Sequence, residues 1–343
     1  MTERSRRDRS RTSVTRPAFV GRLVFAVATA IATATTMGTA AAQGFPDPPI
    51  KMVVGFSAGG GTDVIARIVA QAMSAGLHQS MVVENRPGVS GMLADADVAR
   101  AAPDGYTIMM GSQTTLAVAP TLYRKFAIDA GRDFAGVARA GASPLALVVN
   151  PSFPAHSVRE LIALAKSKPG KLNFASGGVG TTPHMAGELF AQLAGIKLVH
   201  IAYRGEAPAL NDVIGGQVPM MFTNLSASVG NIKGGSLRAL AVTGAQRSPL
   251  TPDVPTLAEA AIPGFAAETW FAVVVPAHTP PAIVARLNAV VQRGFSDPAT
   301  VRRFTDLGMT LGGGTSEEID AYVKSEVAKW GKVIKDADIR APE

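Results

Sequence analysis

The sequence predicts an α/β fold of two domains, and three observations carry that prediction. Short apolar runs alternate with helix-period patterns nearly throughout the chain after residue 42. The succession strand, glycine loop, helix N-terminus occurs twice, about 120 residues apart, which assigns one such unit to each domain. A chain of 343 residues with 47% hydrophobic content can fill two cores.

The elements follow in order. Apolar runs predict strands at Ile50–Val54, Met81–Val83, Thr107–Met110, Leu145–Val149, Leu172–Ala175, Leu198–Ile201, Pro219–Phe222, Leu237–Val242 and Phe271–Val275. After the first strand, FSAGGGTD leads into a helix from Val64, whose Ile65, Ile68, Val69, Ala72 and Met73 share a face with it. After the fifth, SGGVGTTP leads into a helix with Met185, Leu189, Phe190 and Leu193, and Pro183 suits its first turn. Ser157 and Glu160 form a capping-box signal for a helix that stops at Pro169-Gly170. Thr279-Pro280-Pro281 opens a helix to about Phe295, and Thr315-Ser316-Glu317-Glu318 opens the last, ending near Asp336.

Charge and composition narrow the function. Seven arginines lie within residues 1–42 against Glu3 and Asp8, so only +2 of the formal +7 belongs to the rest of the chain. With no basic stripe and few aromatics there, nucleic acid is not an expected partner. The arginines precede the apolar run Leu23 to Met37, and Ala40-Ala41-Ala42 follows. That order predicts a secretory signal peptide over 1–42, cleaved near Ala42, and an exported, periplasmic protein. The run is too short and too rich in Ala and Thr for a membrane span. There is no cysteine, which removes disulfides, thiolate metal sites and cysteine nucleophiles. No His/Asp/Glu cluster has metal-ligand spacing, so neither a metal nor a cofactor is expected.

Gly55-Phe56-Ser57-Ala58-Gly59 is a literal G-x-S-x-G, the pattern of a hydrolase nucleophile elbow. Its strand is the first after residue 42, whereas an elbow needs an earlier strand to supply its second oxyanion donor. The only late histidine, His278, lies in the proline-rich VPAHTPP. A secreted α/β serine hydrolase with Ser57 as nucleophile is therefore the alternative reading. Nucleotide loops fit less well: no lysine follows Gly60-Gly61, and neither glycine loop completes G-x-G-x-x-G. Glycines that admit a ligand to the backbone, followed by a helix N-terminus, make an anion site without Lys or Arg. Two such loops facing one another would hold a carboxylate between them, with Ser57, Thr62, Ser176, Thr181 and Thr182 adding hydroxyls.

The stretches IKMVVGFSAGGGTDVIARIVA, VVENRPGVSG, AAPDGYTIMMGS, LNFASGGVGTTPHMAGELF and IAYRGEAPALNDVIGGQV, with others in the same order, resemble the Bug-type (TctC-like) solute-binding proteins of tripartite tricarboxylate transporters across 46–336. The resemblance implies a two-domain periplasmic-binding-protein fold of the type II, Venus-flytrap kind. Domain 1 would comprise 43–140 plus 275–343, domain 2 would comprise 141–274, and the hinge would lie near 138–148 and 268–278. It implies a binding protein rather than an enzyme, expected as a monomer, that passes a small carboxylate (a di- or tricarboxylate, an aromatic acid or an amino acid) to membrane permease subunits.

The binding residues it implies are Phe56, Ser57, Ala58, Gly59, Gly60, Thr62 and Asp63 in the first loop and Gly111 and Ser112 after the third strand. In the second loop they are Ser176, Gly177, Gly180, Thr181, Thr182 and His184. Asp63 has two readings, a helix cap or a partner for a ligand amine, and His184 is either a donor to ligand or a capping histidine. Tyr203 and Trp270 either line the cleft or pack in the core. Gly55 and Ser57 stand where the family commonly has proline, and Thr223 where it commonly has aspartate. The last change is expected to favour a more anionic ligand, or one without an amino group.

Overall fold

The computed structural model describes residues 45–203 and 205–341. The signal-peptide expectation for 1–42 lies outside them. Ten strands are present among the described residues: β1 (Ile50–Val54), β2 (Met81–Asn85), β3 (Thr107–Ser112), β4 (Phe134–Val149), β5 (Leu172–Ser176), β6 (Leu198–Ala202), β7 (Met220–Asn224), β8 (Arg238–Val242), β9 (Glu268–Pro276) and β10 (Thr310–Gly313). The helices of eight residues or more are α1 (Gly61–Leu77), α2 (Met92–Ala99), α3 (Val158–Ser167), α4 (Thr182–Ala194), α5 (Glu206–Ile214), α6 (Leu225–Lys233), α7 (Pro281–Phe295), α8 (Pro298–Asp306) and α9 (Ser316–Asp336). None of the described helices is long and apolar enough to cross a membrane.

The strands run β2-β1-β3-β9-β4-β7-β5-β6, with β10 and β8 each paired to β4. β1 is parallel to β2 and β3, and β5 is parallel to β6 and β7, so each half of the order repeats the strand–helix–strand grammar read in the sequence. β4 joins the halves. Its residues from Phe134 to Pro144 pair antiparallel with β9, and from Leu145 onward it pairs with β7 and β8. The change of partners falls at Pro144, which has no N–H to give to a ladder. The two segments expected at the hinge, near 138–148 and 268–278, are thus neighbouring strands.

Local chemistry explains the helices. In α1, Ile65, Ile68, Val69 and Met73 are buried at helical spacing, as are Ala66, Ala70 and Leu77. Val64, counted with that face in the sequence, is instead exposed at the helix start. α3 is capped by the Ser157 hydroxyl, which accepts from Glu160 N at 3.2 Å, while Glu160 Oε2 accepts from His156 N rather than closing the box on Ser157. α9 has the full capping box: Glu318 N donates to Thr315 Oγ1 and Thr315 N donates to Glu318 Oε2. Trp270, one residue with two readings, belongs to the core: it is 1% exposed. Its indole N–H and that of Trp330 both donate to Glu326 Oε2 at 2.8 Å. Tyr203 donates to Asp212 Oδ2 at 2.6 Å and packs on the apolar layer between α5 and the second set of strands. That bond, first, and burial push its phenol up to about 12.

Candidate functional site

In open α/β sheets ligands sit beyond the C-terminal ends of parallel strands. Five of these ends, those of β1, β3, β5, β6 and β7, supply the groups that follow.

After β1 the chain turns through Gly55–Gly60 into α1. A Cβ on Gly55 would stand 2.8 Å from Gly91 Cα, so close approach of the α2 start accounts for the first glycine of GFSAG. Gly59 has φ +80°, and Gly60 caps α1 without a side-chain acceptor. Asp63, 2% exposed, anchors the turn. Its Oδ2 accepts from Gly59 N at 2.8 Å and Arg67 Nε at 2.9 Å, and its Oδ1 accepts from Asn85 Nδ2 at 2.9 Å. Asn85 Nδ2 also donates to Phe56 O at 2.9 Å, which ties the loop to the end of β2. Burial pushes the Asp63 carboxyl up, but the bonds from Arg67, Gly59 and Asn85 outweigh it and hold the group below its ordinary value. Of the two readings for Asp63, the geometry is that of a cap.

After β5 the second loop is tied inward. Ser176 is fully buried. Its hydroxyl exchanges bonds with the backbone of Gly178 and meets His200 Nε2 at 2.7 Å. Thr181 Oγ1 donates to Gly178 O at 2.7 Å, and Thr182 Oγ1 to Gln113 Oε1 at 2.6 Å. His184 Nδ1 accepts from Gly180 N at 3.1 Å, so His184 is a loop cap. Its ring stacks on His200 with centroids 3.8 Å apart. Gln113 follows Gly111 and Ser112, both buried, and Ser112 N donates to Thr115 Oγ1 at 3.0 Å. The structure therefore brings the second loop to the end of β3.

A cavity of about 360 Å³ opens elsewhere, between the first loop and the helices after β6 and β7. Gly59 lines it from the loop before α1, Gly61 and Thr62 from α1, Glu206 from the start of α5, and Asn224 and Ser226 from the start of α6. Ser143 and Thr269 reach it from β4 and β9, and Val64, Ile65, Phe271, Leu307 and Met309 supply apolar wall. Of the expected residues, Gly59 and Thr62 border this cavity. Phe56, Ser57, Ala58, Gly60 and Asp63 stand in the same turn without bordering it, and neither Gly111 and Ser112 nor the second loop is among its lining. Gly177 acts at one remove: a Cβ there would lie 3.0 Å from Glu206 N, and Gly177 O accepts from Gly205 N at 3.1 Å, so the second loop seats the first turn of α5.

Glu206, Asn224 and Thr269 were not expected. The Glu206 carboxylate accepts at Oε1 from Thr223 Oγ1 and Asn224 N, both at 2.6 Å, and at Oε2 from Asn224 Nδ2 at 2.8 Å. Asn224 Oδ1 in turn accepts from Thr269 Oγ1 at 3.0 Å. Thr223 is fully buried and serves Glu206, so the threonine does not leave the cleft without a carboxylate. One signal could have found this corner: Asn224 directly follows the apolar run of β7 and precedes a helix, which is an N-cap position.

The arrangement has the means to hold an anion. Three helices begin at the cavity, and first-turn N–H groups with their partial positive charge attract a carboxylate. Ser57 is exposed, and its hydroxyl has no histidine or carboxylate partner among the described residues. The serine–histidine bond present among the described residues, Ser176 to His200, is part-buried. There burial, with the neighbouring His184 ring, lowers the His200 imidazole to about 3, too weak a base to activate a hydroxyl. The described residues contain no group of three or more metal-ligating side chains.

Two strand-and-helix halves joined through β4 and β9, with a cavity of apolar wall and a few polar groups beside the joint, are the architecture of a two-domain α/β ligand-binding protein. Comparison with known proteins narrows the class. The sequence profile described as the tripartite tricarboxylate transporter family receptor, TctC, matches residues 65–339. The chain belongs to this family, the Bug-type receptors. Among solved structures it is similar to R. palustris Rpa4515 with adipate, 36% identical, covering 86% of this chain and 99% of that one, with a TM-score of 0.77. It is similar to the periplasmic binding protein BugD, at 33% identity, 86% and 99% coverage and a TM-score of 0.74. It is also similar to MatC from Rhodopseudomonas palustris with bound malate, at 32% identity, 84% and 100% coverage and a TM-score of 0.74. The family is one of periplasmic solute-binding proteins.

Proposed function

We propose that this chain is exported, loses residues 1–42 near Ala42, and acts in the periplasm as a monomeric receptor for a small carboxylate, with no catalytic step. The carboxylate enters the cleft between a domain of 43–140 plus 275–343 and a domain of 141–274. The domains close by flexing where β4 and β9 run together, and the loaded receptor is read by the membrane permease subunits of a tripartite transporter. The observation that carries the reading is the cavity bordered by the first turns of α1, α5 and α6, where helix starts favour an anion without a cationic side chain among the described lining residues. The adipate and malate of two similar proteins support a carboxylate as the solute class. The second loop, seated against α5 through Gly177, adds its donors on closure, when exclusion of water strengthens every polar contact.

The test is a thermal-shift screen against mono-, di- and tricarboxylates, aromatic acids and amino acids. A ligand at about a hundred times its Kd stabilises the fold by roughly 2.7 kcal/mol, a visible rise in melting temperature. Recovery of the acid unchanged completes the result. Silence across all acids overturns the reading. Ser57→Ala separates it from hydrolysis: binding changes by at most about 1 kcal/mol, whereas ester turnover abolished by that variant would establish the hydrolase.

A further inference from the structure

We propose that Glu206 sets the selectivity of this cavity, so that it takes an aliphatic acid bearing an ammonium group at its far end in preference to the dicarboxylate of the same length. The inference rests on the carboxylate reading above and names the kind of acid. Among the described residues that line the cavity, Glu206 is the only one with an ionisable side chain. The rest of the described polar lining is hydroxyl, amide and backbone, and none of those groups carries a charge to set against the glutamate.

Nor is the glutamate free to turn away. Three donors from β7 and its junction with α6 hold it: two at Oε1 and one at Oε2. Asn224, which provides two of these, is itself fixed by Thr269 of β9. An ionised carboxylate has about four acceptor positions on its two oxygens. Three are used, and the fourth belongs to Oε2. A solute group placed there is rewarded for donating a hydrogen bond and for positive charge, and is penalised for negative charge in a cleft that excludes water.

The remainder of the cavity fits the other parts of such a molecule. Gly59, Gly61 and Thr62, at the first turn of α1, suit its carboxylate. Val64, Ile65, Phe271, Leu307 and Met309 suit methylenes between the two ends. A dicarboxylate would satisfy the α1 end and the apolar wall, and would set its second carboxylate against Glu206.

The experiment compares matched pairs of equal length by calorimetry at pH 7.5: 4-aminobutanoate with succinate, 5-aminopentanoate with glutarate, and 6-aminohexanoate with adipate. At the length that binds tightest, the wild-type protein is expected to bind the amino acid at least tenfold more tightly. Glu206→Gln should reduce that ratio at least tenfold, with the dicarboxylate gaining affinity. Glu206→Asp, which keeps the charge, should keep the sign of the preference. Equal or tighter binding of the dicarboxylate by the wild type overturns the proposal without any variant. So does a ratio unchanged in a folded Glu206→Gln protein. If none of these acids and none of the wider screen binds, the carboxylate reading itself fails and takes this one with it. If other acids in the screen bind but no member of these pairs does, this proposal alone is overturned.

Discussion

Removing the Asp63 carboxylate should destabilise the protein and weaken every ligand alike. The Asp63 side chain is 3% exposed and accepts three hydrogen bonds. Bonds to a charged group contribute about 1.5–3 kcal/mol each, but the three are not equal. Arg67 is 51% exposed and regains water on losing its partner, so its share is at most about 1 kcal/mol. Gly59 N lies in an exposed turn and is partly rehydrated. Asn85 Nδ2 keeps Phe56 O as an acceptor. The total for Asp63→Ala is then about 2–4 kcal/mol, and for Asp63→Asn, which retains one acceptor oxygen, about 1–2 kcal/mol. Thermal and urea denaturation measure this. Calorimetry with acids that do and do not carry an amine measures selectivity. Because Gly59, Gly61 and Thr62 lose their fixed positions together, affinity should fall by a common factor. An Asp63→Ala protein as stable as wild type, losing only its amine-bearing ligands, would refute the capping role and make Asp63 a ligand partner.

Two further outcomes are expected. Glu326→Ala leaves two buried indole N–H groups without an acceptor and should cost about 2–5 kcal/mol; since Trp270 and Trp330 are the only tryptophans in the chain, a changed fluorescence emission of the folded variant reports the loss directly. For His200, burial and then the His184 ring depress the imidazole from 6.5 to about 3, so the unfolded chain takes up the proton first as pH falls. Its contribution to stability is complete above about pH 6.5 and declines towards pH 3, with a slope of at most about 1.4 kcal/mol per pH unit. Urea titrations between pH 7 and pH 5, above the ordinary carboxylate range, should show that slope in wild type and its loss in His200→Gln; parallel curves for the two would count against a half-buried imidazole that stays neutral.

Much of the fold was legible because each signal was local. β1 occupies the residues read for it, and the capping boxes and proline starts placed α7 and α9. What stayed hidden lacks a local signal. The first part of β4, FAGVARAGASP, is small, glycine-rich and nearly all buried, so it shows no alternation. β10 is Thr-Leu-Gly-Gly, half of it glycine, which weakens a strand signal, and it forms by pairing with β4. The site divides in the same way. Glycines and hydroxyls after β1 and β5 announce two loops, but not where the hydroxyls point. Ser176, Thr181 and Thr182 turned out to be bonded within the protein. Glu206 and Asn224 come together because β7 lies between β4 and β5, a matter of strand order that no window of sequence contains.

The unbroken run of β4 has a mechanical consequence. The two halves share the strand β4, which passes without a break from its pairing with β9 to its pairing with β7 and β8, with register shifts between Gly136 and Ala138 and between Arg139 and Gly141. Bulges concentrate bending where they occur. On the reading proposed above, such a joint would act as a leaf spring, and a solute that pulled the halves together would do elastic work on an already ordered strand rather than give up affinity to tame a floppy tether.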